Sequence, residues 1–148
     1  MLPLAIVKIF TNVFLEMLNY PAKILIAFGE TISGNDEIFS WLLKNGFPEL
    51  AALSKAIRGS EEGFKWLLGN KFPHLAALDR AIDNDAKAYQ WLKKNNYLFL
   101  LIFAEACHNK KEALLWLKEK ELEIFILLAN KIKHFRDNQT FDYHKLHF

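Results

Sequence analysis

Every tryptophan in the chain stands on one ladder: Trp41, Trp66, Trp91 and Trp116 are 25 residues apart. Leucine follows each of them, as Leu42, Leu67, Leu92 and Leu117. Phe39, Phe64, Tyr89 and Leu114 stand two positions before, and Phe47, Phe72, Tyr97 and Leu122 six positions after. Parallel columns at one period are a repeat signature. A period of this size constrains the chain to a stack of like units.

A second set of columns keeps the same period. Leu25, Leu50, Leu75, Leu100 and Phe125 form one, and Phe28, Leu53, Leu78, Phe103 and Leu128 the next. Ile32, Ile57, Ile82, Cys107 and Ile132 form a third. Within a unit these positions are i, i+3 and i+7, one face of an α-helix. The tryptophan segments read as a second helix, with a wide apolar arc suited to neighbours on both sides. The first helix of a unit is called A here and the second B.

The punctuation repeats too. Gly34, Gly59, Asn84, Asn109 and His134 stand between A and B, and Gly and Asn accept the left-handed backbone that ends a helix. Asn35, Ser60 and Asp85 follow as N-caps. Asn45-Gly46, Asn70-Lys71 and Asn95-Asn96 stop helix B, and Pro48 and Pro73 open the next helix A.

A hairpin this short cannot bury its own apolar face, so stacking on the next one must complete the core. The expected fold is all-α: a right-handed α-solenoid of about four two-helix units with atypical capping helices, in a single domain over 1–148. Its parts are a leading helix (1–20), four hairpins over 21–122, and a closing helix of 123–134 with a tail to 148. Phe141 falls where a fifth tryptophan would be. Apolar residues are 52% of the chain and aromatics 14%, enough large rings to hold a thin stack together. No run reaches the length of about 18 apolar residues that marks a membrane-spanning helix. The N-terminus carries Lys8, Asn12, Glu16 and Asn19 within its apolar stretch and does not read as a secretory signal. The single cysteine, Cys107, rules out an intrachain disulfide and suits a reducing, cytoplasmic setting.

The segment HLAALDRAIDNDAKAYQWLKKNNY (74–97), like ELAALSKAIRGSEEGFKWLLGNKF before it, resembles the helical part of an ankyrin repeat. The likeness covers about residues 25–130. The units are shorter than ankyrin repeats, with no room for a β-hairpin, and Pro73-His74-Leu75 is the nearest echo of the family's threonine-proline-leucine-histidine signature. The resemblance implies a stacked helical architecture and a protein-binding role.

No catalytic constellation stands out, so no enzyme activity and no cofactor are expected. Cys107 occupies an isoleucine column and reads as a small buried hydrophobe. His108 reads as a solvent-facing turn residue. His144 and His147, three apart, with His134 upstream, lack the further ligands that a zinc site needs. Glu61-Glu62 and Asp36-Glu37 sit in the first turn of a B helix, where acidic residues favour the helix dipole. The tryptophan ladder admits two readings: packing between successive B helices, or a line of rings open to bases or sugars.

Two surfaces are candidates for a partner. With Leu53 taken as inward, helix A points Ala51, Lys55 and Arg58 outward, then Ala76, Arg80 and Asp83, then Leu101, Glu105 and His108. This set changes from unit to unit while the core columns do not, as binding faces of repeat proteins do. The leading helix is the other candidate. Its apolar residues, Phe10 and Phe14 among them, cover most of its circumference, more than one packing contact can hide. The expected function is a non-catalytic interaction scaffold that binds another protein or a second copy of itself through these surfaces. Peripheral membrane attachment by residues 1–19 is the alternative. A third reading is weak nucleic-acid binding by residues 86–148, which carry 11 basic and 7 acidic side chains; the overall charge of +2 disfavours it.

Overall fold

The computed structural model describes the backbone of residues 17–146 and the side chains of residues 17–139. Among the described residues there are nine α-helices and no strand. The A helices are α1 (Ala22–Ile32), α3 (Pro48–Ile57), α5 (Pro73–Ile82), α7 (Leu98–Cys107) and α9 (Glu123–Leu146). The B helices are α2 (Asp36–Lys44), α4 (Glu61–Gly69), α6 (Ala86–Lys94) and α8 (Lys111–Glu119). None of these helices is long and apolar enough to cross a membrane.

The turn column between A and B does what its residue types dictate. Gly34, Gly59, Asn84 and Asn109 take φ of 96°, 102°, 65° and 59° between A and B. The left-handed conformation lets the chain reverse within a few residues, and glycine or asparagine adopts it at least cost. A second left-handed column, Gly46, Lys71, Asn96 and Glu121, turns each B helix into the next A helix. The side chains of Asn35, Ser60 and Asp85 accept from backbone N–H groups of the first turn of α2, α4 and α6. At the other end, Asn45, Asn70 and Asn95 each donate Nδ2 to the tryptophan carbonyl four residues back, at 2.7–2.8 Å. Both ends of α2, α4 and α6 are thus closed by local side chains, whereas Lys110 gives α8 no side-chain cap.

Helix α9 departs from expectation. It does not stop near residue 134 but runs on to Leu146. The column that breaks the other A helices offers His134 here, which gains nothing from a left-handed turn. Intrahelical pairs instead carry the helix onward: Lys133 Nζ to Asp137 Oδ2 at 2.6 Å, and His134 with Asn138 at 3.0 Å.

Neighbouring A helices pack in the order α1, α3, α5, α7, α9, and α9 then packs on α1. The solenoid therefore curls round and closes as a ring of five A helices. The B helices lie in the outer seams: α2 touches α1 and α3, α4 touches α3 and α5, α6 touches α5 and α7, and α8 touches α7 and α9. Ring closure overturns one expectation from sequence. Ala51 and Ala76, expected to face outward, are fully buried. Taking Leu53 as inward presumes that helix A has a free opposite side. In a ring it has A neighbours on both flanks and B helices on its outside. Helix α3 is accordingly buried nearly all round, including Glu49 and Ser54.

The B helices approach closely over small residues. A Cβ at Gly63 would lie 2.7 Å from the Ala52 carbonyl oxygen and 2.9 Å from the Ala56 nitrogen, both backbone atoms that cannot swing aside. Gly63→Ala should therefore destabilise the fold by about 1–3 kcal/mol, because α4 must lift from α3. Gly69→Ala, in the same helix with no atom within 4 Å of the new Cβ, should be neutral or stabilise by up to about 1 kcal/mol. Equilibrium denaturation of the two variants side by side checks the pair; equal effects would contradict the close approach.

Candidate functional site

With the A helices enclosed, a repeating set of grooves lies between successive B helices. One groove, of about 260 Å³, is walled by Phe39 and Leu43 of α2 and Trp66 of α4, over a floor of Pro48 and Ala52. The next, of about 280 Å³, repeats it one unit on, with Phe64 and Leu68 facing Trp91 over Pro73, Ala76 and Ala77. A third, also about 280 Å³, pairs Trp116 with Leu101 and Ile102. Ala52, Ala77 and Ile102 form one repeat column in the three floors.

The walls are set by ring stacking. Trp41 lies on Phe47 (6.4 Å between centroids, 13° between planes), Trp66 on Phe72 (6.0 Å, 15°) and Trp91 on Tyr97 (5.6 Å, 6°). Each tryptophan thus leans one face on the loop that follows its helix. Leu42, Leu67, Leu92 and Leu117, one position on, are the fully buried side chains of the B helices. The ladder divides between its two readings: Trp66 and Trp116 are half-buried and pack against the core, whereas Trp41 is 46% and Trp91 37% exposed. Leu43 and Leu68, at 48% and 52%, join them to make an apolar strip along α2, α4 and α6. A signal for this was present in the sequence. The column Leu43, Leu68, Lys93, Lys118 holds lysine in half of its units, so it faces water and its leucines are exposed.

The charged residues singled out from sequence fall into two groups. Lys55 and Arg80 line the grooves, and each covers an aromatic ring of the preceding B helix. Lys55 Nζ is 4.5 Å from the Phe39 centroid, and the Arg80 guanidinium is 3.9 Å from that of Phe64. Arg80 also pairs with Glu61 at 3.0 Å. Arg58, Asp83 and His108 meet instead at the C-terminal mouth of the ring, where they are engaged internally. Arg58 donates Nη1 to the Ile32 carbonyl at 2.8 Å and lies 4.7 Å over Phe135. His108 donates Nε2–H to the Ala81 carbonyl at 3.2 Å, so it is not the free turn residue expected of it. Donors at these positions satisfy the last carbonyls of the preceding A helix. Asp83 forms an ion pair with Arg136 of α9. Glu105 is exposed. Phe10 and Phe14 lie outside the described residues, as do the side chains of His144 and His147.

The described nucleophile and acids are placed as packing groups. Cys107 is buried, and burial pushes its thiol well above the usual range. Asp79 occupies the small-residue column Gly29, Ser54, Asp79, Ala104, Ala129, all buried. No hydrogen-bond partner reaches its Oδ1 among the described residues. Burial, and then the neighbouring Asp83, raise its carboxyl from 3.8 to about 6, against the opposing pull of Arg80 and Arg136. Against protein-family models, curated proteins and solved structures, the chain gives no significant match.

Asp79 makes stability fall as pH rises. The unfolded carboxyl ionises near 3.8 and the folded one near 6. Between those values the proton is held more tightly by the folded chain, which loses that advantage as the pH climbs. Asp79→Asn should flatten this slope and raise stability at pH 7 by about 2–3 kcal/mol relative to the parent. Urea denaturation at pH 4, 5, 6 and 7 checks it; an unchanged slope would mean that the carboxyl is not desolvated.

Proposed function

We propose that the protein is a non-catalytic cytoplasmic interaction module that holds another protein through the strip of grooves between α2, α4 and α6. One observation carries the reading. Leu43, Leu68, Trp41 and Trp91 are large apolar side chains left substantially in water, next to apolar-walled grooves of side-chain size. Large exposed apolar groups in a contiguous array mark interaction surfaces, and tryptophan and arginine are enriched among the residues that anchor protein interfaces. Lys55 and Arg80 already cover rings inside these grooves, so the partner is best matched by apolar side chains with a polar rim. The likeness of the hairpins to the helices of ankyrin repeats points the same way. The surface differs from the helix A face suggested by sequence, but it shares Lys55 and Arg80 with it.

The test is a paired substitution, Leu43→Ser with Leu68→Ser. Both side chains are exposed, so stability should change by no more than about 0.5 kcal/mol. Affinity purification with mass spectrometry should then show proteins held by the parent chain lost at least about ten-fold from the variant. A control carrying Lys65→Ser and Lys94→Ser, outside the strip, should retain them. Identical capture by parent and paired variant would refute the assignment of this surface.

A further inference from the structure

Four B helices cover four of the ring's five outer seams. The fifth seam, between α9 and α1, carries no B helix among the described residues. Its seat is recognisable by column. Gly63 of α4 rests on Ala52, Lys55 and Ala56 of its own A helix. The equivalent positions on α9 are Leu127, Asn130 and Lys131. With Ile32 and Ser33 of α1, and with His134 and Phe135, they line a cavity of about 570 Å³, roughly twice the size of the grooves between B helices. Leu127 is 47% exposed there, whereas Ala52 in the same column is 9% exposed beneath α4.

We propose that this seat is filled by the chain's own N-terminal segment, residues 11–16, led in by Met17. Three observations select this occupant. The first is register: one period before the first complete unit, Val13, Phe14, Met17 and Leu18 fall in the columns of Ile38, Phe39, Leu42 and Leu43. The second is Met17 itself, which is fully buried like Leu42, Leu67, Leu92 and Leu117 of its column. The third is connectivity. Each B helix leads directly into the A helix that follows its seam, and residues 11–19 lead into α1, which borders the fifth seam. The connecting residue is held in place: Tyr20 donates its hydroxyl to Glu49 Oε1 at 2.8 Å and meets the Phe47 ring edge-on at 6.1 Å. The ring then has five inner and five outer elements, the fifth outer one supplied from the opposite end of the chain. Phe14 is assigned to the ring and not to a partner.

The columns name the pair of residues that tests this. A Cβ at Gly63 would stand 3.1 Å from Lys55 Cβ; the equivalent pair across the fifth seam is Val13 and Asn130. Cysteines at both, in the full chain, should oxidise to an intrachain disulfide in monomeric protein, since a slight widening of this approach reaches the Cβ separation of about 3.5–4.5 Å that the bond takes. Cys107 can stay, because it is fully buried. The control, Val13→Cys with Lys55→Cys, places the second thiol beneath α4 and should not close. Absence of the bond in folded protein, a bond between two chains, or equal closure in the control would each overturn the proposal. A second measurement guards against a misfolded variant. In the full chain, Leu127→Asp and Val13→Asp should each lower the thermal midpoint by several degrees, and the double variant by little more than either alone. Additive shifts in the double variant would also overturn it.

Discussion

The contact of α9 with α1 governs the rest of the molecule. It joins helices a hundred residues apart in the chain, and it is close: a Cβ at Gly29 would lie 3.0 Å from Leu128 Cδ2. Leu128, Ala129 and Phe28 are fully buried, and Lys131 Nζ reaches Glu30 at 3.3 Å at the rim. Without this contact the end helices of the stack would each expose an A face, as the ends of open solenoids do unless capped. With it, every A helix has neighbours on both flanks. That is why alanines, and even Ser54 and Asp79, are enclosed where an open stack would leave a concave surface.

Closure also decides which surfaces of the protein stay open. The C-terminal mouth of the ring is occupied by its own side chains, with Arg58 over Phe135, Arg136 paired with Asp83, and His108 on the Ala81 carbonyl. These groups satisfy helix ends and tie α9 to the units it faces. The outer strip differs in kind. Its tryptophans each lean on one ring, Trp41 and Trp91 remain substantially exposed, and its leucines stand where later units carry lysine. The same repeat that builds an enclosed interior leaves a periodic row of aromatic-walled grooves outside, with a chemistry that varies from unit to unit.

Much of this was legible in the residues. The 25-residue columns located the A and B helices. The Gly and Asn columns located the turns, and the leucine after each tryptophan located the core of every B helix. Ring closure was not legible, because a period fixes that units are equivalent and says nothing of the rotation from one to the next. That rotation is set by how closely the helices approach, at positions such as Gly63 on Ala52 and Gly29 against Leu128, and a glycine or alanine in a repeat column reads equally well as a surface residue. The reach of α9 was missed for a related reason. His134 occupies a turn column, but it lacks the conformational freedom that makes a turn there inexpensive. Asp79 was overlooked because a charged residue in a column of small ones resembles a solvated position until the ring encloses it.

The closure itself is open to a direct distance measurement. In an open stack, four interhelical steps of about 8–10 Å would separate α1 from α9 by roughly 30–40 Å. In the ring the two helices are adjacent, with Lys131 Nζ 3.4 Å from Ser33 Oγ. Spin labels at Lys23 and Glu123, both exposed and in one repeat column of α1 and α9, should give a single short-range distance population by pulsed electron resonance. A dominant population at the open-stack separation would contradict the ring and everything inferred from it.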